Sequence, residues 1–426
     1  MEDICIIQFI GVCIPIHRYI DREKGFFENM NIDRLMADIK KLGNIGYEEG
    51  KGTSRMAYSE AFFKGRDFVK FLMEEAGLVT HIDAVGNLTG VLEGTDSKKI
   101  AIGSHIDTVP NGGMYDGALG VLAGIEAVRV LKEMNYQNKH TIEIIAFNEE
   151  EGNVVGGTFG SKAFAGAKLE DSMIEKMAEY GMTVFDFNSC VRKGEDYLAY
   201  LEYHIEQGGI LEKTNMEIGI VPGIFGIIRY RVVVSGVANH AGSTPMYLRH
   251  DALKMACNII TDAYAMAQRK NNTMVCTIGV LNLEPGAVNV IPGKAEFIIE
   301  LRDKDMIGMH EVIEELQQKH AGENIEMTRI IEQENTICSP ELTAVFKECA
   351  EKFGYKETTV YSGAGHDLIN TSMIMPSALL FIPSVNGISH HKDEFSKEEH
   401  IEKGTMVLIE AIKTIDGGNL DENKNY

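Results

Sequence analysis

The chain has no cysteine pair at zinc-ribbon spacing, no apolar run of the roughly 18 residues needed to span a bilayer, and few basic residues for its length. Its seven cysteines (Cys5, Cys13, Cys190, Cys257, Cys276, Cys338, Cys349) are scattered and odd in number, which speaks for reduced thiols in a cytoplasmic protein. The longest apolar candidate, Ile4 to Ile16, follows Glu2 and Asp3 instead of a basic segment, and no small-residue cleavage site comes after it. Neither a signal peptide nor a membrane anchor is expected. With 41 basic against 63 acidic residues the net charge is -22, which argues against non-specific nucleic-acid binding. Internal repeats and low-complexity segments are also lacking.

What is present is the composition of a soluble globular protein, 44% hydrophobic and 24% charged. At 426 residues it is too long for one ordinary core. Helical spacing is expected over 31 to 42 (Leu35, Ile39, Leu42) and over 59 to 76 (Phe62, Phe68, Phe71, Leu72), with a glycine-rich loop between them. Leu78 to Leu92 alternates around a turn at Gly86-Asn87. Short apolar strands at 100 to 104 and 141 to 147 flank an apolar helix at 118 to 134, an order that predicts an α/β fold with a mixed, mainly parallel sheet flanked by helices. Between Pro222-Gly223 and Ser339-Pro340 the character changes to about four strands (227 to 235, 276 to 283, 295 to 302, 325 to 331) and two long helices (251 to 270, 305 to 320). We read residues 224–339 as an inserted α+β domain within a discontinuous domain of 30–223 and 340–426. The second part continues with helix 341 to 353, strands 358 to 362 and 378 to 382, and a closing helix at 397 to 414. Residues 1–29 are an extension of uncertain structure.

The chemistry gathers around Gly103-Ser-His-Ile-Asp-Thr-Val-Pro-Asn-Gly-Gly-Met-Tyr-Asp-Gly117. It places His105, Asp107 and Asp116 at a strand end and in the glycine-broken loop beyond it, where open parallel sheets bind ligands. Imidazole with carboxylate favours zinc, manganese, cobalt or nickel, and Asp107 suits an acid that orients His105. Glu149, Glu150 and Glu151 form a second cluster at the end of another strand. Such a run is usually a solvated loop, but a dication would relieve its repulsion, one glutamate ligating while its neighbour takes a proton from water. His204 and His390 are further candidate ligands.

Together Ser104-His-Ile-Asp-Thr-Val, Asn111-Gly-Gly-Met-Tyr-Asp-Gly117, Glu149-Glu-Glu-Gly152, His204-Ile-Glu-Gln-Gly208, Asn239-His-Ala-Gly-Ser-Thr-Pro245, Val288-Asn-Val-Ile-Pro-Gly293, Ser362-Gly-Ala-Gly-His-Asp367 and Gly387-Ile-Ser-His390 resemble the N-carbamoyl-amino-acid hydrolase and allantoate amidohydrolase family. That family is a branch of the dinuclear aminoacylase and carboxypeptidase superfamily, and the likeness runs from about Asn31 to the last helix.

The resemblance implies a di-zinc exopeptidase-like fold with two divalent metal ions per subunit. Asp116 would bridge them, His105 and His204 would each complete one metal's set, and Glu151 and His390 would supply the remaining ligands. His391, next in the chain, can exchange roles with His390. Glu150 would be general base and then acid, and Asp107 would orient His105. From the inserted domain His240 would polarise the scissile carbonyl, and Asn289 and Arg302 would clamp a substrate carboxylate. Gln207 and Gly363, Ala364 and Gly365 would shape the carbamoyl pocket. A homodimer through the inserted domain is implied, with His240 reaching the partner's site. One departure is Gly226-Ile-Ile-Arg-Tyr230, where many members carry Gly-Gln-Arg: Ile227 removes a polar contact and favours a less polar ligand. The expected activity is hydrolysis of an N-carbamoyl amino acid, with allantoate as the alternative substrate, a dipeptide or acylated amino acid third, and a metal-free binding protein last.

Overall fold

In the computed structural model the described residues are 30–418; the expected extension 1–29 and residues 419–426 lie outside them. Amphipathic spacing produces the first two helices, α1 (Ile32–Asn44) and α2 (Glu60–Glu75), whose N-termini are capped by the side chains of Asn31 and Ser59. In α2 the buried face is Phe62, Gly65, Val69, Leu72 and Met73. Phe71 is 57% exposed, contrary to expectation, because it follows the 62-65-69-72 row by a step of 100° off that face.

The strands β1 (Val79–Ile82), β2 (Leu88–Leu92), β3 (Asp96–His105), β4 (His140–Phe147), β5 (Tyr197–Ile205) and β6 (Ile218–Val221) build most of one sheet. Between β3 and β4 runs α3 (Ala118–Glu133), buried at every residue from Ala118 to Leu131. A helix buried all round needs cover on both sides, and α1, β3 and β5 supply it together with the last helix.

The chain then forms β7 (Gly226–Ser235), α4 (Ala252–Lys270), β8 (Val275–Thr277), β9 (Leu281–Glu284), β10 (Lys294–Asp303), α5 (Met306–Lys319) and β11 (Ile325–Gln333). It returns with α6 (Pro340–Lys352), β12 (Glu357–Thr359), β13 (Ser377–Ile382) and α7 (Glu398–Asp416). The first sheet has eight strands in the order β12-β6-β13-β5-β3-β4-β2-β1. Its central neighbours β13, β5, β3 and β4 are parallel, whereas β2 and β1 pair antiparallel at one edge. The mainly parallel sheet flanked by helices is as the sequence predicts.

A separate antiparallel sheet has the order β8-β10-β7-β11, with β9 also on β10. Ile228, Val232, Phe297, Ile299 and Leu301 turn one face of it onto α4 and α5, making a core of its own. The expected single strand over 276 to 283 is two short ones, broken at residues 278–280. Where the chain enters and leaves this sheet, Gly223–Ile224 pairs with Thr336–Ile337, so the two crossings are laced together. Among the described residues no helix is long and apolar enough to cross a membrane.

Candidate active site

Register explains why His105 and His204 meet. Gly103 on β3 pairs with Glu202 on β5, and side chains two residues further along each strand share that face. Their imidazole rings stand 6.0 Å apart. Each is held by a carbonyl: His105 Nδ1 donates to the Asp107 oxygen at 3.0 Å, and His204 Nδ1 to the Ile205 oxygen at 2.8 Å. Both Nε2 atoms therefore face Asp116 Oδ1, at 3.6 Å from His105 and 3.1 Å from His204. On the other side of the same carboxylate, His390 Nε2 lies 3.1 Å from Asp116 Oδ2 and 3.5 Å from Glu151 Oε2.

Two donor groups result, His105-Asp116-His204 and Asp116-Glu151-His390, each with ligand atoms within 4.8 Å of one another and sharing Asp116. The expected assignment of His105 and His204 to different metals does not match this arrangement, since both face one oxygen of Asp116. His391 is turned away, toward Asp393 at 3.5 Å.

The three consecutive glutamates point three ways. Glu149, with a left-handed φ of 60°, accepts the amides of Val154, Val155 and Gly156 on its Oε1. Glu150 reaches toward His105, Oε2 to Nε2 3.8 Å, and Glu151 toward His390. Asp107 makes this possible: its carboxylate accepts the amides of Glu150 at 3.2 Å and Glu151 at 3.1 Å. It is the carbonyl of Asp107, and not its carboxylate as expected, that orients His105, because Oδ1 lies 3.7 Å from Nδ1. Gln207 donates to Asp116 Oδ2 at 2.8 Å and lies 3.3 Å from His390 Nε2, so it belongs to the donor cluster.

These residues fit a pair of divalent cations. Asp116, Glu150 and Glu151 are buried or nearly so, and Glu151 Oε1 has no hydrogen-bond partner. Burial, with the charge of Asp116 added, pushes the Glu151 carboxyl up to about 7. Burial likewise holds Glu150 well above the usual carboxylate range, against the pull of His105 and with the push of Asp367 and Glu151. The hydrogen bond that His390 donates to the Asp116 carboxylate raises His390 to about 9. A field that draws protons to these groups draws cations to the same atoms, and the two compete. The mixed imidazole and carboxylate set suits zinc, manganese, cobalt or nickel.

Over this floor stands one face of the antiparallel sheet, and between them is a cleft of about 830 Å³. Arg302 and Ile227 line it, as do Ala364 and Gly365. Arg302 donates from Nη1 to the Gly363 oxygen at 2.7 Å and from Nε to Glu300 at 2.8 Å. His240 and Asn289 are not brought to the cleft. His240 is on a separate two-stranded ladder and Asn289 is in the turn that leads into it, both exposed, with the Ala241 amide donating to the Asn289 oxygen.

The residue pattern does not flag two residues around the site, Glu394 and Glu202. Glu394 accepts the amides of Tyr115 and Asp116 and the hydroxyl of Ser389, fixing the residue that the two donor groups share. Glu202 joins Ser104 Oγ on β3 to the amide of Leu368. A buried acid two residues from His204 in an apolar strand is the signal that would have found it. His366 packs its ring against that of His204, centroids 4.6 Å apart, and bonds Ser362.

A profile of peptidase family M20/M25/M40 matches residues 101–414, which include all of these donors. The chain belongs to that family. It is 35% identical to an N-carbamoyl-L-amino acid amidohydrolase of Geobacillus stearothermophilus over 89% of this chain and 97% of the relative. To an allantoate amidohydrolase of Escherichia coli it is 33% identical, over 86% and 94%. Among solved structures it is similar to a hydantoinase/carbamoylase family amidase of Burkholderia multivorans, with TM-score 0.84 and 29% identity over 91% of this chain and 98% of that one. The M20 chain is thus a hydantoinase/carbamoylase-type amidohydrolase acting on C–N bonds, with the dinuclear metal site of its family.

Proposed function

We propose that the chain hydrolyses the carbamoyl C–N bond of an N-carbamoyl amino acid, giving the free amino acid, ammonia and carbon dioxide. The observation that carries this reading is the meeting, in one cleft, of an enclosed Glu150, the two donor groups sharing Asp116, and the guanidinium of Arg302. His105, Asp116 and His204 would hold one cation, and Asp116, Glu151 and His390 the other. Bound cations supply Lewis acidity toward a carbonyl and lower the pKa of water.

The protein's own groups do the rest. Glu150, held well above its ordinary carboxylate range by burial, is suited to take the proton of the attacking water and return it to the leaving amine. The water oxygen joins the carbamoyl carbon, the bond to the amino-acid nitrogen breaks, and the carbamic acid released decomposes to ammonia and carbon dioxide. Arg302, braced on Gly363 and Glu300, receives the substrate carboxylate with its remaining N–H groups. Gln207, Ala364 and Gly365 border the carbamoyl group. His240 and Asn289 would serve as oxyanion donor and carboxylate clamp in the cleft of a second copy. Their exposure, and that of Tyr247 (84%) and Val288 (106%) in turns near them in the chain, supports a homodimer through this part of the protein.

Allantoate is the alternative substrate, since similarity to an allantoate amidohydrolase is nearly as high, and Ile227 in the cleft weighs against so polar a ligand. The test is ammonia release from a panel of N-carbamoyl amino acids and allantoate, before and after chelation and metal return. Glu150→Gln is expected to abolish turnover while the metals stay bound. Release from allantoate alone would transfer the proposal to that substrate, and turnover by Glu150→Gln would remove Glu150 from its role.

A further inference from the structure

The roof of the cleft carries an apolar patch beside its cations. On the antiparallel sheet Ile227 of β7 is paired with Arg302 of β10, and Arg229 with Glu300. On the opposite side of β7, Arg229 is paired with Ile331 of β11. Cross-strand partners of this kind stand about 5 Å apart on one face, and this face looks into the cleft while Ile228 and Leu301 look away into the helices. Pairing then jumps from Arg229-Ile331 to Tyr230-Arg329, leaving Ile330 as the extra residue of a β-bulge. A regular strand would send Ile330 and Ile331 to opposite faces; the bulge lets both line the cleft, 46% and 38% exposed. Two isoleucines half open to water on an edge strand, aimed into a cleft with Ile227, need an apolar occupant.

Resting on the carbamoyl-hydrolase reading, we infer that Ile227, Ile330 and Ile331 form the side-chain subsite, and that the substrates are N-carbamoyl amino acids with aliphatic or aromatic side chains. The placement follows from the sheet. Carboxylate and side chain leave the same α-carbon, so a carboxylate on Arg302 puts the side chain on the residue next to Arg302 in the pairing, which is Ile227, and beyond it on β11 between Gln333, the partner of Ile227, and Ile331 one same-face pair further along. Arg229, which also lines the cleft, is held by the other oxygen of Glu300, so its charge is paired on the roof. A hydroxyl or second ureido group set against the three isoleucines would lose water partners there, although Arg229, Glu332 and Gln333 line the same cleft.

The experiment compares kcat/KM for N-carbamoyl-leucine, N-carbamoyl-glycine and allantoate in the metal-loaded full chain, and in Ile227→Ser and Ile331→Ser. Burying a leucine side chain predicts a leucine-to-glycine ratio of about tenfold or more. The ratio is expected to fall at least about fivefold in either variant. Ile331→Ser changes an exposed edge-strand residue, so it reports even if Ile227→Ser folds poorly. Hydrolysis of both carbamoyl amino acids at similar kcat/KM, or a ratio kept in both variants, overturns the subsite and leaves the carbamoyl-hydrolase reading standing. Ammonia from allantoate alone overturns both.

Discussion

Gly117 is the position where one methyl group tests the arrangement of the metal donors. Its φ of 63° with ψ of −50° belongs to conformations that only glycine adopts without cost. A Cβ built there meets the ring of His105, 2.4 Å from Cδ2 and from Nε2 and 2.5 Å from Cε1. Carbon atoms rest at about 3.5–4.0 Å, so the ring would have to withdraw by about 1 Å or more. It is buried and tied to the Asp107 carbonyl, so a withdrawal breaks that bond or carries the ring away from Asp116. The strained backbone costs about 1–3 kcal/mol and the overpacking about as much again. Gly117→Ala is therefore expected to lose about 2–6 kcal/mol of stability. A displacement of about 1 Å at a group that holds the chemistry lowers rate by about a hundredfold. The assay is metal content per chain, thermal unfolding, and kcat/KM with metal in excess, beside Gly279→Ala as control. Gly279 has no heavy atom within 4 Å of a built Cβ, so its variant should stay within about 0.5 kcal/mol of the parent. A Gly117→Ala protein with the parent's metal content and activity would refute the placement of His105.

Asp107→Asn should separate the two donor groups. An amide side chain keeps one acceptor for two backbone N–H groups, so the Glu150-Glu151 segment loses a charge-assisted bond of about 1.5–3 kcal/mol, while His105, bonded to a carbonyl, keeps its place. One metal equivalent per chain is expected instead of two, with kcat/KM about a hundredfold lower; two equivalents at full activity would sink the idea. In the chelated protein Glu150, Glu151 and His390 all hold protons more tightly folded than unfolded. The folded state thus binds more protons above the ordinary carboxylate range, and stability is lost as pH rises through about 7 for Glu151 and about 9 for His390. The depressed Asp116 works the other way only below that window. Melting of chelated protein should fall from pH 6 to pH 9 and fall less with metal bound; a chelated melting temperature that rises over this range would contradict the protonation of the cluster.

The parts of this molecule that could be read from residues alone are those whose signal is local. The β3-α3-β4 unit is one, because an apolar run, a glycine break and an apolar helix follow in order and the donors fall at the strand ends. β5 is harder: Tyr197 to Ile205 mixes tyrosines with Glu202, and its burial comes from β3 and β13 on either side, which no neighbour in the chain announces. Glu394 grips the amide of Asp116 from 278 residues away. The bulge at Ile330 exists only as a mismatch between two strands, so neither strand shows it. His240 and Asn289 carry a clear motif, yet the motif gives no geometry relative to Arg302, and the structure places them apart.

One device recurs in several of the loops around the donors. A buried or half-buried carboxylate accepts consecutive backbone amides: Glu394 holds Tyr115 and Asp116, Asp107 holds Glu150 and Glu151, Glu149 holds Val154 to Gly156, and Glu206 holds Ile210 and Leu211 just after Gln207. Bonds to a charged acceptor are stronger than those between neutral groups, and two on adjacent amides set a loop's direction as well as its position. The acids that seem excessive around a cation site therefore divide into those that point at the cations and those that hold the backbone of the former. Because the second set draws its partners from amides already present, the donors keep their places when the cations leave, and removal of metal should cost stability without erasing the site. That is the arrangement a reversible, reloadable metal centre requires.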